Sequence, residues 1–305
     1  MGDVIHALPA VTSLKNGFPA AKISWLIKPR WIPLLQGNPS VDEIIPFERT
    51  VRGIRAVFQH LRRERFDTVV DFQGLIQSAL LARASRAPHN IGLDRSQARE
   101  PLAASLYTTK VRTTSVHRVD QYLELAAAAG APEIVPTFPM PCGQPEGSLP
   151  AGPFVLACPL AGWESKQWPL EYYSDIAQGI DMPLVVNGPP ESAALLAGVH
   201  GATIHISGLP GLIHATRRAH AVIGVDSGPL HLAAALSKPG VAIFGPTDPA
   251  SHGPYRSTMR VLRSPAAVTS YKRLHYEDDA MRAIEPQAVL DALAASLAAS
   301  SAEPC

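Results

Sequence analysis

The chain has 305 residues, of which 46% are apolar and 17% are charged. This length fits one large domain or two medium ones, and the apolar share excludes a chain that is disordered throughout. The 27 basic and 26 acidic side chains leave a formal net charge of +1, which indicates no overall attraction to nucleic acid, although a local basic patch stays possible.

Short apolar runs alternate with amphipathic stretches in the first half of the chain. A helix is predicted after Gly2-Asp3, and the stretch 51–65 repeats apolar residues at helical spacing. Strands are predicted at 22–27, 66–72 and 90–93. Runs that are apolar on both faces and alternate with helices indicate a parallel sheet that is covered on both sides.

A proline-rich segment interrupts this pattern. Residues 136–153 contain six prolines, which lack the amide donor and exclude both a helix and a central strand. The segment is therefore predicted to link two domains, 1–147 and 148–305, with the boundary near residue 147.

The same alternation resumes in the second half. It predicts strands at 154–157, 183–186, 203–206, 221–225 and 241–244, and helices at 171–178, 231–236 and 286–299. Two α/β domains of similar size are expected to form a cleft. Ligands of such sheets bind outside the carboxyl ends of the strands.

The strongest local signal follows the strand predicted at 221–225. The tripeptide Asp226-Ser227-Gly228 ends that strand, and an alanine-rich helix that contains His231 begins at once. The amides at a helix start bind phosphate well, and a glycine there allows close approach of a ligand. The same tripeptide also occurs as ordinary helix capping, and a single histidine at this position can be structural.

Two further loops follow strands of the second half. Lys166 follows the strand predicted at 154–157 and is well placed for a phosphate, although a loop lysine can also be merely solvated. The segment 245–249, Gly-Pro-Thr-Asp-Pro, follows the strand predicted at 241–244. Polar loops from adjacent strands are expected to meet at one edge of the sheet.

The most basic interval of the chain is 49–65. It begins with Arg49, Arg52 and Arg55. These arginines are interpreted either as a solvated helix face or as a patch for an acidic substrate.

The cysteines and the apolar runs indicate the cellular compartment that we expect for the chain. Three cysteines at wide spacing form neither a disulfide framework nor a zinc motif, which favours a reducing cytoplasm. The sequence contains no apolar run near the ~18 residues of a membrane span, and the first residues lack the pattern of a signal peptide. We therefore expect a cytoplasmic chain without a membrane anchor, for which peripheral contact with a membrane stays possible.

Several motifs, taken in chain order, resemble the lipopolysaccharide heptosyltransferases, glycosyltransferase family nine. The resemblance covers almost the whole chain and is greatest to the type I members, which add the first heptose to Kdo. The motifs that carry it are 1–9 (MGDVIHALP), 71–75 (DFQGL), 97–102 (QAREPL), Asp226-Ser227-Gly228 with His231, and 245–249 (GPTDP).

The resemblance implies a GT-B fold, in which two Rossmann-like domains face each other across a cleft. It also implies an inverting enzyme that moves L-glycero-D-manno-heptose from ADP-heptose to Kdo of the lipopolysaccharide inner core. The acceptor would bind the N-terminal domain, and the donor would bind the C-terminal domain. The partners would be ADP-heptose and Kdo-lipid A at the cytoplasmic face of the inner membrane, with no nucleic acid, and the chain would act as a monomer.

The roles of single residues follow from the same resemblance. Asp3 matches the catalytic base, since an inverting displacement needs a group that takes the acceptor proton. The residues implied in donor binding are Lys166, Glu191, Asp226, Ser227, Gly228 and His231. By their charge, Arg49, Arg52, Arg55 and Arg99 are the best candidates to meet the acidic groups of the acceptor. No bound metal and no cofactor is expected.

Alternatives stay open beside this interpretation. One is another member of family nine, similar to type II, and another is a sugar-nucleotide epimerase of the same fold. A third is a non-catalytic nucleotide-binding protein.

The sequence departs from the type I pattern in two places. Residues 158–163 stand where type I enzymes usually have polar residues with hydroxyl groups, and the chain begins at the loop that would follow a first strand. We expect residues upstream of Met1 to encode that strand, apolar and β-branched, because the first strand of a doubly wound domain is central.

Overall fold

The computed structural model describes residues 1–270, 272, 275–276 and 278–302. The chain divides into two compact units. One runs from Asp3 to Pro141, and the other joins Met1–Gly2 to the chain from Cys142 onward. The division falls inside the proline-rich segment, for which the sequence predicts a boundary near 147. Residues 303–305 of the predicted second domain lie outside the described residues.

The first unit alternates helices with short parallel strands. Its helices are α1 (Gly2–Gly17), α2 (Val51–Arg63), α3 (Ile76–Ala84) and α4 (Arg118–Ala128). Its strands are β1 (Ser24–Ile27), β2 (Glu43–Pro46), β3 (Thr68–Asp71), β4 (His89–Leu93) and β5 (Thr109–Val111). Strand β1 pairs with β2 in one sheet, and β3, β4 and β5 form a second sheet in that order. The strand expected upstream of Met1 concerns residues outside this chain and stays a prediction.

Burial explains why the helices of the first unit form where they do. Thr50 caps α2 by accepting a hydrogen bond from the amide of Gly53 at 3.0 Å. Val57 and Leu61 of α2 pack against an apolar cluster that includes Phe47, just after β2. Helix α1 is buried over 4–13, on every face. The helix predicted after Gly2-Asp3 and the strands predicted at 22–27, 66–72 and 90–93 are confirmed.

The second unit is built on a six-stranded parallel sheet. Its strands are β6 (Val155–Cys158), β7 (Leu184–Gly188), β8 (Thr203–Ile206), β9 (Ala221–Val225), β10 (Gly240–Phe244) and β11 (Arg260–Arg263), in the order β11-β10-β9-β6-β7-β8. The chain enters at β6 in the middle, builds outward to β8, and then crosses back to β9. The point where the direction reverses lies between β6 and β9, and α/β sheets bind ligands beside such a point.

The helices of the second unit cover this sheet. They are α5 (Leu170–Gly179), α6 (Ala193–Leu196), α7 (Leu209–Arg218), α8 (Gly228–Ala235), α9 (Pro249–His252), α10 (Asp279–Arg282) and α11 (Pro286–Ala302). The core contains Trp168, whose indole nitrogen donates to the carbonyl oxygen of Ile284 at 2.8 Å, and Val289 and Leu293 of α11. The five strands predicted here are confirmed. Helix α8 begins at Gly228 instead of 231, because Pro229 is accepted in a first turn.

None of the helices in the described part of the chain is long and apolar enough to cross a membrane.

Candidate functional site

The loops at the carboxyl ends of the central strands carry the predicted donor residues. Lys166 follows β6, Glu191 follows β7, and the tripeptide 226–228 follows β9. Thr247 follows β10, the next strand outward from β9. Because the strands are parallel, all four loops lie at the same edge of the sheet, where ligands of such sheets bind.

Three of these loops meet at the carboxylate of Asp226. Lys166 Nζ donates to Asp226 Oδ2 at 2.5 Å, and Thr247 Oγ1 donates to the same oxygen at 2.6 Å. His231 Nε2 lies 3.6 Å from Asp226 Oδ1. The structure therefore brings together Lys166, Asp226 and His231, as the sequence predicts, and adds Thr247. The sequence places Thr247 in a motif without giving it a role.

Asp226 stays ionised although it is only 7% exposed. Burial alone would raise the pKa of this carboxyl, but the interaction with the nearby His231 and the charge of Lys166 outweigh it and hold the pKa far below its ordinary value. The ammonium of Lys166 is 4.2 Å from the ring centroid of Trp163. Lys166 is thus fixed between an anion and an aromatic face, which excludes the alternative of a freely solvated lysine.

The start of α8 lies beside this network. Ser227 is the residue before the helix, its backbone is extended, and its side chain makes no capping hydrogen bond. Among the described residues, the buried Ser227 Oγ has no hydrogen-bond partner. The first amides of a helix have no acceptor within the helix, so this end can bind an anion.

Glu191 lies at the same sheet edge but outside the Asp226 network. It belongs to a short 3₁₀ turn, Pro190–Ser192, directly after β7, and its side chain is exposed. An exposed carboxylate at this edge is open to a ligand that reaches beyond the β6–β9 reversal.

In the first unit, the predicted base pairs with an arginine. Asp3 lies in the first turn of α1, and Arg99 follows β4. The Arg99 guanidinium donates to both carboxylate oxygens of Asp3, at 3.0 and 3.2 Å. Burial opposes the ionisation of Asp3, but Arg99 and, to a smaller extent, Arg118 keep its pKa below the ordinary value. The sequence assigns Arg99 to the acceptor and does not predict this ion pair.

A buried network around Asp71 holds the loop that supports Arg99. Asp71 Oδ2 accepts hydrogen bonds from Tyr107 at 2.6 Å and Ser78 at 2.7 Å, and Oδ1 accepts from the Gln73 amide at 2.8 Å. Gly74 has a φ of +64°, and a Cβ atom there would come within 3.1 Å of the backbone nitrogen of Arg99. Only glycine therefore lets the loop after β3 pass this close to the backbone of Arg99.

The three arginines predicted at the start of the basic interval are exposed. Arg49 precedes α2, and Arg52 and Arg55 lie in its first turns. Two further cations, Lys28 and Arg30, directly follow β1, and the sequence assigns them no role. Burial, together with the charges of Arg49 and Arg30, lowers the pKa of Lys28. The signal that could have found them is the Lys-Pro-Arg run at a predicted strand end.

The described residues also bear on metal binding. They include no group of three or more His, Cys, Asp or Glu side chains that could hold a metal ion. The expectation that the chain needs neither metal nor cofactor stays a prediction.

Comparison with known proteins identifies one family that matches most of the chain. Residues 54–282 match glycosyltransferase family 9 (heptosyltransferase). Lipopolysaccharide heptosyltransferase 1 of Pseudomonas aeruginosa is 32% identical over 280 residues, which cover 84% of this chain and 79% of that protein. The solved structure of E. coli heptosyltransferase WaaC with ADP-2-deoxy-2-fluoro heptose is similar with a TM-score of 0.75 and 25% identity, over 95% of both chains. E. coli ADP-heptose lps heptosyltransferase II is similar with a TM-score of 0.78 and 25% identity, over 99% of this chain and 97% of that one.

These similarities decide between the classes that the sequence leaves open. The parallel α/β sheets and the solved relatives confirm the predicted GT-B fold class, with Rossmann-like domains. The match spans residues of both units and favours a transferase over an epimerase or a non-catalytic binding protein. This chain belongs to glycosyltransferase family 9, the heptosyltransferases, and is a glycosyltransferase.

Proposed function

We propose that this chain is an inverting heptosyltransferase of type I, which moves L-glycero-D-manno-heptose from ADP-heptose to Kdo of the lipopolysaccharide inner core. The observation that carries the proposal is the network of Lys166, Thr247 and His231 around Asp226, beside the start of α8. It occurs in a chain that is 32% identical to a lipopolysaccharide heptosyltransferase 1.

The donor diphosphate is assigned to the edge of the second sheet. An ammonium carries three donors, so Lys166 can hold Asp226 with one and turn the others to phosphate oxygens. The amides of α8 and the hydroxyl of Ser227 supply further donors. Together they stabilise the negative charge that develops on the leaving diphosphate. Glu191 would contact the nucleoside.

Asp3 is assigned the role of general base. The acceptor hydroxyl oxygen forms the new bond to the anomeric carbon, its proton passes to Asp3, and ADP leaves with the electron pair of the broken bond. Arg99 keeps Asp3 ionised and oriented, but the same charge weakens it as a base. A carboxylate of the acceptor that approaches Arg99 would share this cation and raise the pKa of Asp3 toward its ordinary value.

The acceptor of this reaction is a lipid, which defines the expected location. The chain would act as a monomer at the cytoplasmic face of the inner membrane, in peripheral contact with it. Arg49, Arg52 and Arg55 would meet the acidic groups of the acceptor.

A transfer assay with two acceptors tests the proposal. Purified protein is incubated with ADP-heptose and either Kdo₂-lipid A or the same lipid that already carries one heptose, and the product is weighed by mass spectrometry. Addition of one heptosyl residue to Kdo₂-lipid A alone supports type I. Addition only to the heptosylated lipid would support the type II-like alternative, since the chain is also similar to E. coli heptosyltransferase II. No addition to either lipid would reject both.

A further inference from the structure

Three cations, Lys28, Arg30 and Arg49, follow the ends of the paired strands β1 and β2, and both arginines are near enough to Lys28 to lower its pKa. Ile27, the last residue of β1, lies opposite Pro46 of β2, and the Phe47 amide donates to the Ile27 carbonyl at 2.7 Å. Neighbouring strands lie about 4.8 Å apart. The chain segments that carry Lys28 and Arg49 therefore leave the sheet next to each other, at the edge where α/β units bind their ligands.

Two of the three cations are held in place by the local structure. Lys28 is half-buried and immediately precedes a 3₁₀ turn, Pro29–Leu34, that packs against β2. Arg30 lies in this turn, and its guanidinium carbon is 4.6 Å from the ring centroid of Trp31. Stacking of this kind restricts the guanidinium and leaves its N–H groups open to a ligand.

Within the described part of the chain, Lys28, Arg30 and Arg49 form no ion pair with a carboxylate. The repulsion is felt at Lys28, whose pKa is lowered by burial and by both arginines. Unpaired cations that repel one another at a ligand-binding edge are stabilised when an anion binds between them.

We propose that Lys28, Arg30 and Arg49 form a subsite for a phosphate monoester of the lipid acceptor. A carboxylate is satisfied by one arginine, whereas a phosphate monoester carries a charge of about −1.5 to −2 at pH 7 and three acceptor oxygens. The three cations offer one donor group for each of these oxygens, and together they more than balance the charge of the phosphate. This inference rests on the proposed function, since it assigns the ligand to the acceptor, and it adds Lys28 and Arg30 to the residues that select it.

Kinetics with two forms of the acceptor test the subsite. Kdo₂-lipid A is compared with the same lipid after phosphatase treatment, using the wild type and the double variant Lys28→Ala/Arg30→Ala. Each lost charge-assisted hydrogen bond is expected to cost about 10-fold in affinity. The double variant should therefore raise KM for the phosphorylated acceptor by about 10- to 100-fold, with kcat, donor KM and KM for the dephosphorylated acceptor unchanged within about twofold.

A matched control separates binding at the subsite from the electrostatic attraction that all basic side chains of the protein exert on the acceptor. The exposed Arg62 and Arg65 lie in the same basic interval, and Arg62→Ala/Arg65→Ala removes the same number of charges. This variant should leave KM for both acceptors near the wild-type value. Equal increases in the two double variants, or an increase for the dephosphorylated acceptor as well, would overturn the proposal. Lys28→Arg should keep most of the affinity.

A binding arm stays informative if no transfer occurs. Without donor, calorimetry compares wild type and the Lys28→Ala/Arg30→Ala variant with phosphorylated acceptor, inorganic phosphate and phosphatidylglycerol vesicles. Tighter binding of the phosphorylated acceptor by the wild type supports the subsite, even if the proposed transfer fails. Inorganic phosphate or the vesicles binding as tightly as the acceptor, with the same loss in the variant, would overturn the assignment to the acceptor. Unchanged thermal melting of the variant shows that it is folded.

Discussion

The guanidinium of Arg99 donates hydrogen bonds to both carboxylate oxygens of Asp3, with Nη2 3.0 Å from Oδ1 and Nη1 3.2 Å from Oδ2. The two residues are 96 positions apart in the chain and lie in the same compact unit. A bidentate pair of this geometry fixes the direction of the carboxylate as well as its charge. It makes Asp3 an oriented anion, which is what the proposed base needs before an acceptor arrives.

Asp3→Asn is expected to slow transfer while leaving donor binding intact. The amide keeps the size of the side chain but cannot take a proton, and loss of a general base costs about 10²- to 10⁴-fold in rate. Steady-state kinetics and donor calorimetry measure the two effects separately. Turnover within about threefold of the wild type would exclude Asp3 as the base.

Arg99→Met is expected to move the acidic limb of the kcat/KM profile to higher pH. Arg99 lowers the pKa of Asp3, so its removal must raise that pKa, and the base is then protonated at a higher pH. Removing a paired cation typically shifts a carboxyl by about 1–3 units. A pH–rate series on the wild type, the variant and the exposed control Arg63→Ala measures the shift. An acidic limb that stays in place would show that Arg99 does not control the ionisation of Asp3.

Lys166→Ala is expected to weaken donor binding and to destabilise the second unit. The lost ammonium would have met the diphosphate, and Asp226 is left buried without its cation. Thr247→Val is the matched control, because it removes a hydrogen bond to the same carboxylate oxygen but no charge. The control should lower the free energy of unfolding by about 1 kcal/mol and raise donor Kd less than Lys166→Ala does. Equal donor Kd in wild type and Lys166→Ala would reduce Lys166 to a structural role.

The stability that Asp226 contributes is expected to disappear in acid. Its folded-state pKa is depressed, so its contribution is fully present above the unfolded value of about 3.9 and is lost as the pH falls through the folded pKa. Urea unfolding of wild type and Asp226→Asn over a pH series measures this. The wild type should be the more stable at neutral pH, and the difference should shrink below the unfolded pKa. A constant difference would contradict the assigned ionisation.

Asp71→Asn is expected to affect both stability and rate. The carboxylate accepts from Tyr107, Ser78 and backbone amides of the loop that passes Arg99. An amide replaces one acceptor oxygen by a donor and should lower the free energy of unfolding by about 1–3 kcal/mol. Because the loop supports Arg99, kcat should also fall, and the acidic limb should shift in the direction expected for Arg99→Met. Tyr107→Phe removes one of these bonds and should cost less. A fall in stability with an unchanged pH–rate profile would make Asp71 purely structural.

The sequence by itself determined five of the six strands that the structure describes in the second unit. A strand that is buried on both faces of a parallel sheet is an uninterrupted apolar run, and Val155–Cys158 and Ala221–Val225 stand out for that reason. The edge strand Arg260–Arg263 was not predicted, because arginines at both ends hide the pattern. Glu43–Pro46 was not predicted either, because it holds only two apolar residues between a glutamate and a proline, and Thr109–Val111 has only three residues.

The sequence also determined the family, because its motifs lie in family order, and it predicted which loops follow the central strands of the second sheet, where we propose that the donor binds. The contacts among them were decided by the tertiary structure alone. Lys166 and Asp226 are 60 positions apart, and they meet only because β6 and β9 are neighbours at the reversal of the strand order. Tertiary packing likewise brings Arg99 to Asp3, and it brings Lys28 and Arg30 near Arg49. An ion pair depends on distance in space, and local sequence pattern carries no information about which strands become neighbours.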